Sequence, residues 1–272
     1  HVLYLQVNYL EETKMELGLE GKVALVTGAS RGIGRATVDT LRREGVRVAA
    51  VARRSAEDGG DNGEGLVWIR ADLTRPEAAQ TVVDAALRAF GGIDLLVNTV
   101  GGGDRLSLAG SGDLTDEDWN DAITTNLMSA VRTTRAALAH LAAARGAMVN
   151  VSSIGARRPE GPPLAYNVAK AALTAFGRGL ATELGPMGVR VNTVSPGPTR
   201  TAMWQSETGL GGQLAAALGT SVDAVVAGAP AQVGMVTGRM SEPEEVADLI
   251  AYLLSPRAAN ITGADHLIDG GA

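Results

Sequence analysis

The amino-acid sequence predicts an α/β fold: a single Rossmann-like, doubly wound sheet of about seven parallel strands with helices on both faces. Three observations carry that expectation. Short apolar runs recur along the chain, each followed by a turn marked by Gly or Asp and then by an amphipathic stretch. The runs are mostly non-alternating, as strands covered on both faces should be. Glycine is abundant, at 35 residues, while aromatics make up only 3%, a balance that favours tight strand–helix turns over a β-sandwich.

The elements follow in order. Strand-like runs are Val23–Thr27, Val46–Ala52, Leu66–Arg70, Asp94–Asn98, Met148–Ser152, Val189–Val194 and His266–Asp269. Helical spacing marks Ile33–Arg43, Pro76–Phe90, Leu127–Arg145, Ala165–Leu184 and Glu242–Leu254. Residues 202–238 break the alternation with a Gly/Ala/Leu/Val-rich segment that holds no clear strand. With 272 residues the chain is at the upper edge of what one hydrophobic core supports. The unbroken alternation reads as a single domain over 20–272, with a variable segment at about 201–239, preceded by an arm at 1–19.

Composition excludes several function classes. A net charge of −6 argues against a broad nucleic-acid footprint. Cysteine is absent, which removes disulfides, thiol nucleophiles and thiolate zinc sites. His1, His140 and His266 are too scattered to suggest a metal cluster, so no metal is expected. No run of about 20 apolar residues suggests a membrane span. The chain opens on His1, which reads as a processed or truncated end, and residues 1–19 lack the basic-then-apolar order of a signal peptide. A cytoplasmic location is the expectation.

Two local patterns carry chemistry. After the first strand comes Thr27-Gly28-Ala29-Ser30-Arg31-Gly32-Ile33-Gly34, where glycines let the backbone turn sharply and a following helix presents N–H groups to a phosphate. Glycines at a strand–helix turn also serve packing, and this spacing is TGxxxGxG rather than the GxGxxG dinucleotide fingerprint. Tyr166 and Lys170 stand four apart in a helical segment, so both project from one face. A tyrosine can protonate an oxyanion, and a nearby cation lowers its pKa toward neutrality. Such a pair is equally at home on a solvated helix. Ser153, at the carboxyl end of a strand, lies where open α/β sheets place ligands.

Taken together, the TGxxxGxG turn, Tyr166-Asn167-Val168-Ala169-Lys170 and Ser153 thirteen residues before the tyrosine closely resemble the short-chain dehydrogenase/reductase family. The resemblance runs from about Leu19 to Gly271 and includes Asp72, Asn98, Asn126, Pro196-Gly197 and Asp269-Gly270-Gly271. It departs at one place: the family's usual Asn-Asn-Ala-Gly is here Asn98-Thr99-Val100-Gly101. The resemblance implies a nicotinamide dinucleotide, with Gly28, Ser30, Gly32, Ile33 and Gly34 on the phosphate turn. It puts Asp72 and Leu73 at the adenine, Asn98 at the ribose, and Pro196, Gly197, Thr199 and Thr201 at the nicotinamide. Asp72, with Thr74 and Pro76 beside it, also reads as a helix cap. The implied roles are Tyr166 as general acid/base, Lys170 holding the ribose and depressing the tyrosine pKa, Ser153 bonding the substrate carbonyl, and Asn126 positioning a relay water. Ser152 is the competing serine, expected to pack or cap.

The second strand ends Ala52-Arg53-Arg54, with no carboxylate for a free ribose 2′-hydroxyl. Arg53 and Arg54, with Arg31 from the glycine turn, offer donors to a 2′-phosphate, so NADP(H) is expected over NAD(H). The reaction implied is hydride transfer between nicotinamide and a small apolar ketone or secondary alcohol. Met203, Trp204, Leu214 and Val225 in the variable segment suggest a hydrophobic cleft, or else a helix buried against a neighbouring subunit. Alternatives are a 3-oxoacyl-thioester reductase, with Arg157 and Arg158 near the mouth, and a non-catalytic dinucleotide sensor. The resemblance further implies a homotetramer, or a dimer, joined through the helices near 116–145 and 165–184 and the last strand. Small residues such as Ala136, Ala137, Ala171, Ala172 and Ala175 permit close helix approach.

Overall fold

A computed structural model of the chain describes residues 15–53, 63–102, 106–160 and 162–272. Among the described residues seven parallel strands form one sheet in the order β3-β2-β1-β4-β5-β6-β7. They are β1 (Val23–Thr27), β2 (Arg47–Ala52), β3 (Leu66–Arg70), β4 (Leu95–Asn98), β5 (Ala147–Val151), β6 (Arg190–Pro196) and β7 (Asp265–Ile268). The strand boundaries lie within two residues of those read from the sequence.

The non-alternating runs have a direct cause. In β1, Ala24 and Val26 enter one core while Leu25 enters the other. The first core packs helix α1 (Gly32–Arg43) and helix α9 (Pro243–Leu254) on one face, through Val38, Leu41, Val246 and Ile250. The second packs α2 (Ala78–Phe90), α4 (Ser129–Ala144) and α5 (Leu164–Leu184) on the other, through Val82, Val83, Leu141 and Leu184. Each strand thus needs apolar residues at both parities. The arm read at 1–19 is not wholly peripheral, because Leu19 is buried in the first core and Leu17 packs against it; residues 1–14 lie outside the described residues.

Two segments are richer than the sequence pattern suggested. The helix that periodicity marks from Leu127 begins earlier, near the 116 that the family resemblance implies, as α3 (Asp116–Ile123), and joins α4 through a π turn over Thr124–Met128. Thr115 starts it with a reciprocal cap: Asp118 N donates to Thr115 Oγ1 at 3.2 Å, and Thr115 N donates to Asp118 Oδ2 at 2.9 Å. The variable segment folds as α6 (Ala202–Gln205), α7 (Leu210–Leu218) and α8 (Val222–Val233). These helices share a small apolar cluster of Ala215, Val222 and Val225 with Trp204, Leu214 and Val226. This cap sits beyond the carboxyl ends of the strands. Among the described residues no single helix is long and apolar enough to cross a membrane.

Candidate active site

Strand order reverses between β1 and β4, so their outgoing connections part and leave a crevice at the carboxyl edge. A cleft of about 1270 Å³ opens there. It extends from the glycine turn, past the ends of β2 and β5, to the cap.

The glycine turn needs its glycines. Gly28 and Gly32 adopt φ of +65° and +54°, which L side chains rarely adopt. A Cβ on Gly28 would lie 3.0 Å from Thr99 Oγ1 and from Val100 N, and one on Gly34 would collide with the Gly28 carbonyl oxygen. Helix α1 follows with Arg31 at its N-cap, no side-chain cap and no acid in its first turn. Its first N–H groups therefore face the cleft without an internal acceptor. Gly28, Ser30, Arg31, Gly32, Ile33 and Gly34 all line the cleft. Space kept clear by glycine, free amide donors and an arginine suit the pyrophosphate of a dinucleotide.

Arg53, Asp72 and Leu73 line the adjoining end of the cleft. Asp72 Oδ1 accepts from Thr74 N at 3.1 Å and from Thr74 Oγ1 at 2.7 Å. Burial pushes this carboxyl up, but both Thr74 bonds and the charges of Arg53 and Arg75 outweigh it, leaving its pKa below the usual aspartate value. Both readings of Asp72, cleft wall and local cap, are thus present at once. Arg54 lies outside the described residues. Asn98 departs from its expected place: it is buried, donates to Asn150 Oδ1 at 2.9 Å and Thr134 Oγ1 at 3.2 Å, and does not line the cleft. As the last residue of β4 it directs its amide into the sheet, where β5 offers a partner.

At the opposite end, Pro196, Gly197, Thr199 and Thr201 line the cleft where β6 gives way to the cap. Between the two ends stand Asn126, Ser153, Tyr166 and Lys170, all lining the same space. Ser153 leaves β5 as the cap of a short 3-10 turn, its Oγ accepting from Gly155 N at 3.1 Å. It also hydrogen-bonds the Tyr166 phenol. Lys170, buried on α5, donates from Nζ to the Val151 carbonyl at 2.8 Å. Asn126 occupies the π turn; its Nδ2 donates to Ala122 O at 3.0 Å and its Oδ1 accepts from Gly102 N at 2.8 Å. Ser152 instead bonds Lys170 O at 3.0 Å and Thr174 Oγ1 at 2.8 Å, a packing role.

The electrostatics differ from the expected pattern in one respect. Burial drives the Tyr166 phenol above its ordinary pKa, and the Ser153 bond only partly offsets this. Burial also brings Lys170 down to about 7. The lysine does not hold the phenol down here, because its ammonium is directed to the Val151 carbonyl. The phenol therefore keeps its proton at neutral pH.

Some lining residues escaped the sequence reading. Gly101 is one: a Cβ there would lie 2.5 Å from Lys170 Nζ and 3.0 Å from Asn126 Oδ1. Asn167 is another, lining the cleft against Gly155. The signal for Gly101 was its retention, with Asn98, across a stretch whose two middle residues are altered; for Asn167 nothing in the sequence distinguishes it. Of the cap residues, Met203, Trp204 and Leu214 line the cleft, whereas Val225 is buried between helices. Arg158 lines the cleft, but Arg157 pairs with Asp265 at 2.8 Å and does not.

A doubly wound sheet, a glycine turn at its switch point and a Ser-Tyr-Lys set at the neighbouring strand end define a dinucleotide-dependent oxidoreductase. The family model described as enoyl-(acyl carrier protein) reductase matches residues 28–272. The chain is 36% identical to a 3-oxoacyl-(acyl-carrier-protein) reductase FabG of Vibrio cholerae serotype O1, over 94% of this chain and 98% of that one. It is 35% identical to the FabG of Escherichia coli K12 over the same shares. Among solved structures it resembles L-sorbose reductase from Gluconobacter frateurii complexed with NADPH and L-sorbose, with a TM-score of 0.83, 32% identity and coverage of 94% and 98%. A short-chain dehydrogenase from Burkholderia cenocepacia in complex with NADP gives 0.78, 34%, 93% and 98%. This chain belongs to the short-chain dehydrogenase/reductase family.

Proposed function

We propose that this NADP(H)-dependent oxidoreductase reduces a small, uncharged, apolar ketone, or oxidises the corresponding secondary alcohol. The observation that carries the reading is the Tyr166 phenol, bonded to Ser153 and facing a cleft whose far wall is apolar. Leu106, Ile154, Met203, Trp204, Leu210 and Leu214 form that wall. The mouth adds Asp118, Asp121 and Glu160 to a single arginine, Arg158, among the described lining residues near the cap. Carboxylates there repel an acidic substrate or an acidic carrier surface, which weakens the thioester alternative despite the FabG relatives.

Arg31 and Arg53 supply cationic forks at the adenosine end, and no carboxylate stands at Ala52 to repel a 2′-phosphate. When bound at the glycine turn, NADPH would supply a hydride to the carbonyl carbon. Ser153 donates to the carbonyl oxygen and fixes its position. Tyr166 then delivers its proton to that oxygen as the alcohol forms. Lys170, which lines the cleft with its Nζ bonded to the Val151 carbonyl, would hold the ribose hydroxyls, and Asn126, beside Gly101 and Gly102, would hold the entry for a replacement proton.

We further assign residues 20–272 to one catalytic domain, a cytoplasmic location and a homotetramer joined through α4, α5 and β7. Ala137 belongs to the chain's own core, so the α5 face, with exposed Val168 and Ala175, is the better support for that assembly. The function is tested by following NADPH absorbance with matched neutral and carboxylated ketones. Turnover confined to the neutral members is expected; preference for the charged members would refute the substrate class. Light scattering at micromolar concentration reads the assembly, where a monomer would refute it.

A further inference from the structure

We propose that Thr99, at the point where the chain departs from the family's Asn-Asn-Ala-Gly, is a positioning residue that holds the floor of the glycine turn and thereby sets cofactor affinity. The inference rests on dinucleotide binding at that turn. Thr99 follows β4 directly, beside the end of β1, and it is joined to Thr27 by two reciprocal bonds. Thr99 N donates to Thr27 Oγ1 at 3.1 Å, and Thr99 Oγ1 donates to the Thr27 carbonyl oxygen. Thr27 Oγ1 in turn donates to Val97 O at 3.3 Å, so the threonine pair extends the β1–β4 ladder beyond its last register pair, Thr27↔Asn98.

The same hydroxyl reaches both ends of the turn. A Cβ on Gly28 would lie 3.0 Å from Thr99 Oγ1, and one on Gly34 would lie 2.7 Å from it. The first and last glycines therefore rest on one oxygen. Thr27 is the residue before Gly28, so the Thr99 bond fixes the direction in which the chain enters the turn. Anion binding by backbone N–H groups depends on those groups converging on one point, and a small rotation of the entering peptide spreads them. Thr99 is far from the proton-transfer set in role: it carries neither proton nor hydride, and it acts through Thr27 and the two glycines.

The test compares T99V, which keeps the shape and removes the hydroxyl, with T99S, which keeps the hydroxyl. NADPH affinity is measured by calorimetry on the enzyme without substrate, and adenosine 2′-monophosphate, which lacks the pyrophosphate, serves as the control ligand. T99V should weaken NADPH about five- to tenfold, as expected for one lost hydrogen bond. It should leave the control ligand within about twofold and kcat at saturating NADPH within about twofold. T99S should restore wild-type affinity. Unchanged NADPH affinity in T99V, equal weakening of both ligands, or a T99S variant as impaired as T99V would each overturn the proposal. Should T99V fail to fold, T99A, which also removes the hydroxyl, takes its place: about five- to tenfold weaker NADPH binding with the control ligand unaffected upholds the proposal, and unchanged NADPH affinity overturns it. A wild-type chain that binds no NADPH would overturn both this and the cofactor reading, whereas wild-type binding with an unaffected T99V overturns this one only.

Discussion

The Lys170 ammonium lies 5.7 Å from the centre of the Tyr166 ring, near enough to interact with the ring yet directed past it to the Val151 carbonyl. The two groups are thus held on one helix face in opposite states of readiness. Tyr166 is protonated and waiting to donate, while Lys170 is close to losing its charge at neutral pH.

Tyr166→Phe should lower kcat by about 10²- to 10⁴-fold, the usual contribution of a positioned general acid. NADPH affinity should stay within about twofold, because the ring and its packing remain. Steady-state kinetics beside a binding titration read both numbers, and near wild-type turnover would remove Tyr166 from its role.

The buried lysine predicts a pH dependence of stability. Lys170 titrates at about 7 in the fold against 10.5 for the free side chain. Between those values the unfolded state binds a proton that the folded state lacks, so raising the pH through this window stabilises the fold. Lys170→Met loses that contribution. Relative to wild type, the variant should be most favoured near pH 7, and its advantage should shrink steadily toward pH 10. Urea denaturation of both proteins without cofactor across this range measures it; a constant difference would contradict the burial argument.

Arg53→Ala should reduce kcat/KM for NADPH by about tenfold or more, as loss of a charge-assisted phosphate contact does, and leave NADH nearly unchanged. Equal losses with both cofactors would place Arg53 outside the phosphate site.

Arg190→Met should cost about 2–3 kcal/mol of stability, through several lost charge-assisted bonds in one partly buried cluster. Its guanidinium closes the carboxyl end of α9, donating from Nη1 to Leu253 O at 2.7 Å and from Nη2 to Leu254 O and Ser255 O, both at 3.0 Å. A lower urea midpoint with an unchanged slope is expected, and kcat at saturating substrate should hold.

What the sequence disclosed follows from what periodicity can encode. The strands were legible because the two cores demand apolar residues at both parities, and the Tyr166–Lys170 face because a helix fixes the four-residue offset. The direction of the Asn98 side chain was not legible, since the partner that turns it, Asn150, lies on another strand far along the chain. The cap helices were hidden by their own composition. Gly211 and Gly212 in α7 and Pro230 in α8 oppose helix formation locally, and only packing with Trp204 and Val225 overrides them. The early start of α3 was signalled by Thr115 and Asp118, a cap pattern standing before no obvious apolar run.

The strand order also governs what a growing chain exposes on the ribosome. Because β1 lies between β2 and β4, a polypeptide released only through β3 carries the apolar Val23–Thr27 strand with one side unpaired until Leu95–Asn98 emerges. Fragments ending before residue 95 should therefore sediment with aggregates or be retained by chaperones, and extending them past β4 should relieve this only in part, since β4 then presents the next open edge. The nascent chain passes this hazard from strand to strand until β7 closes the series.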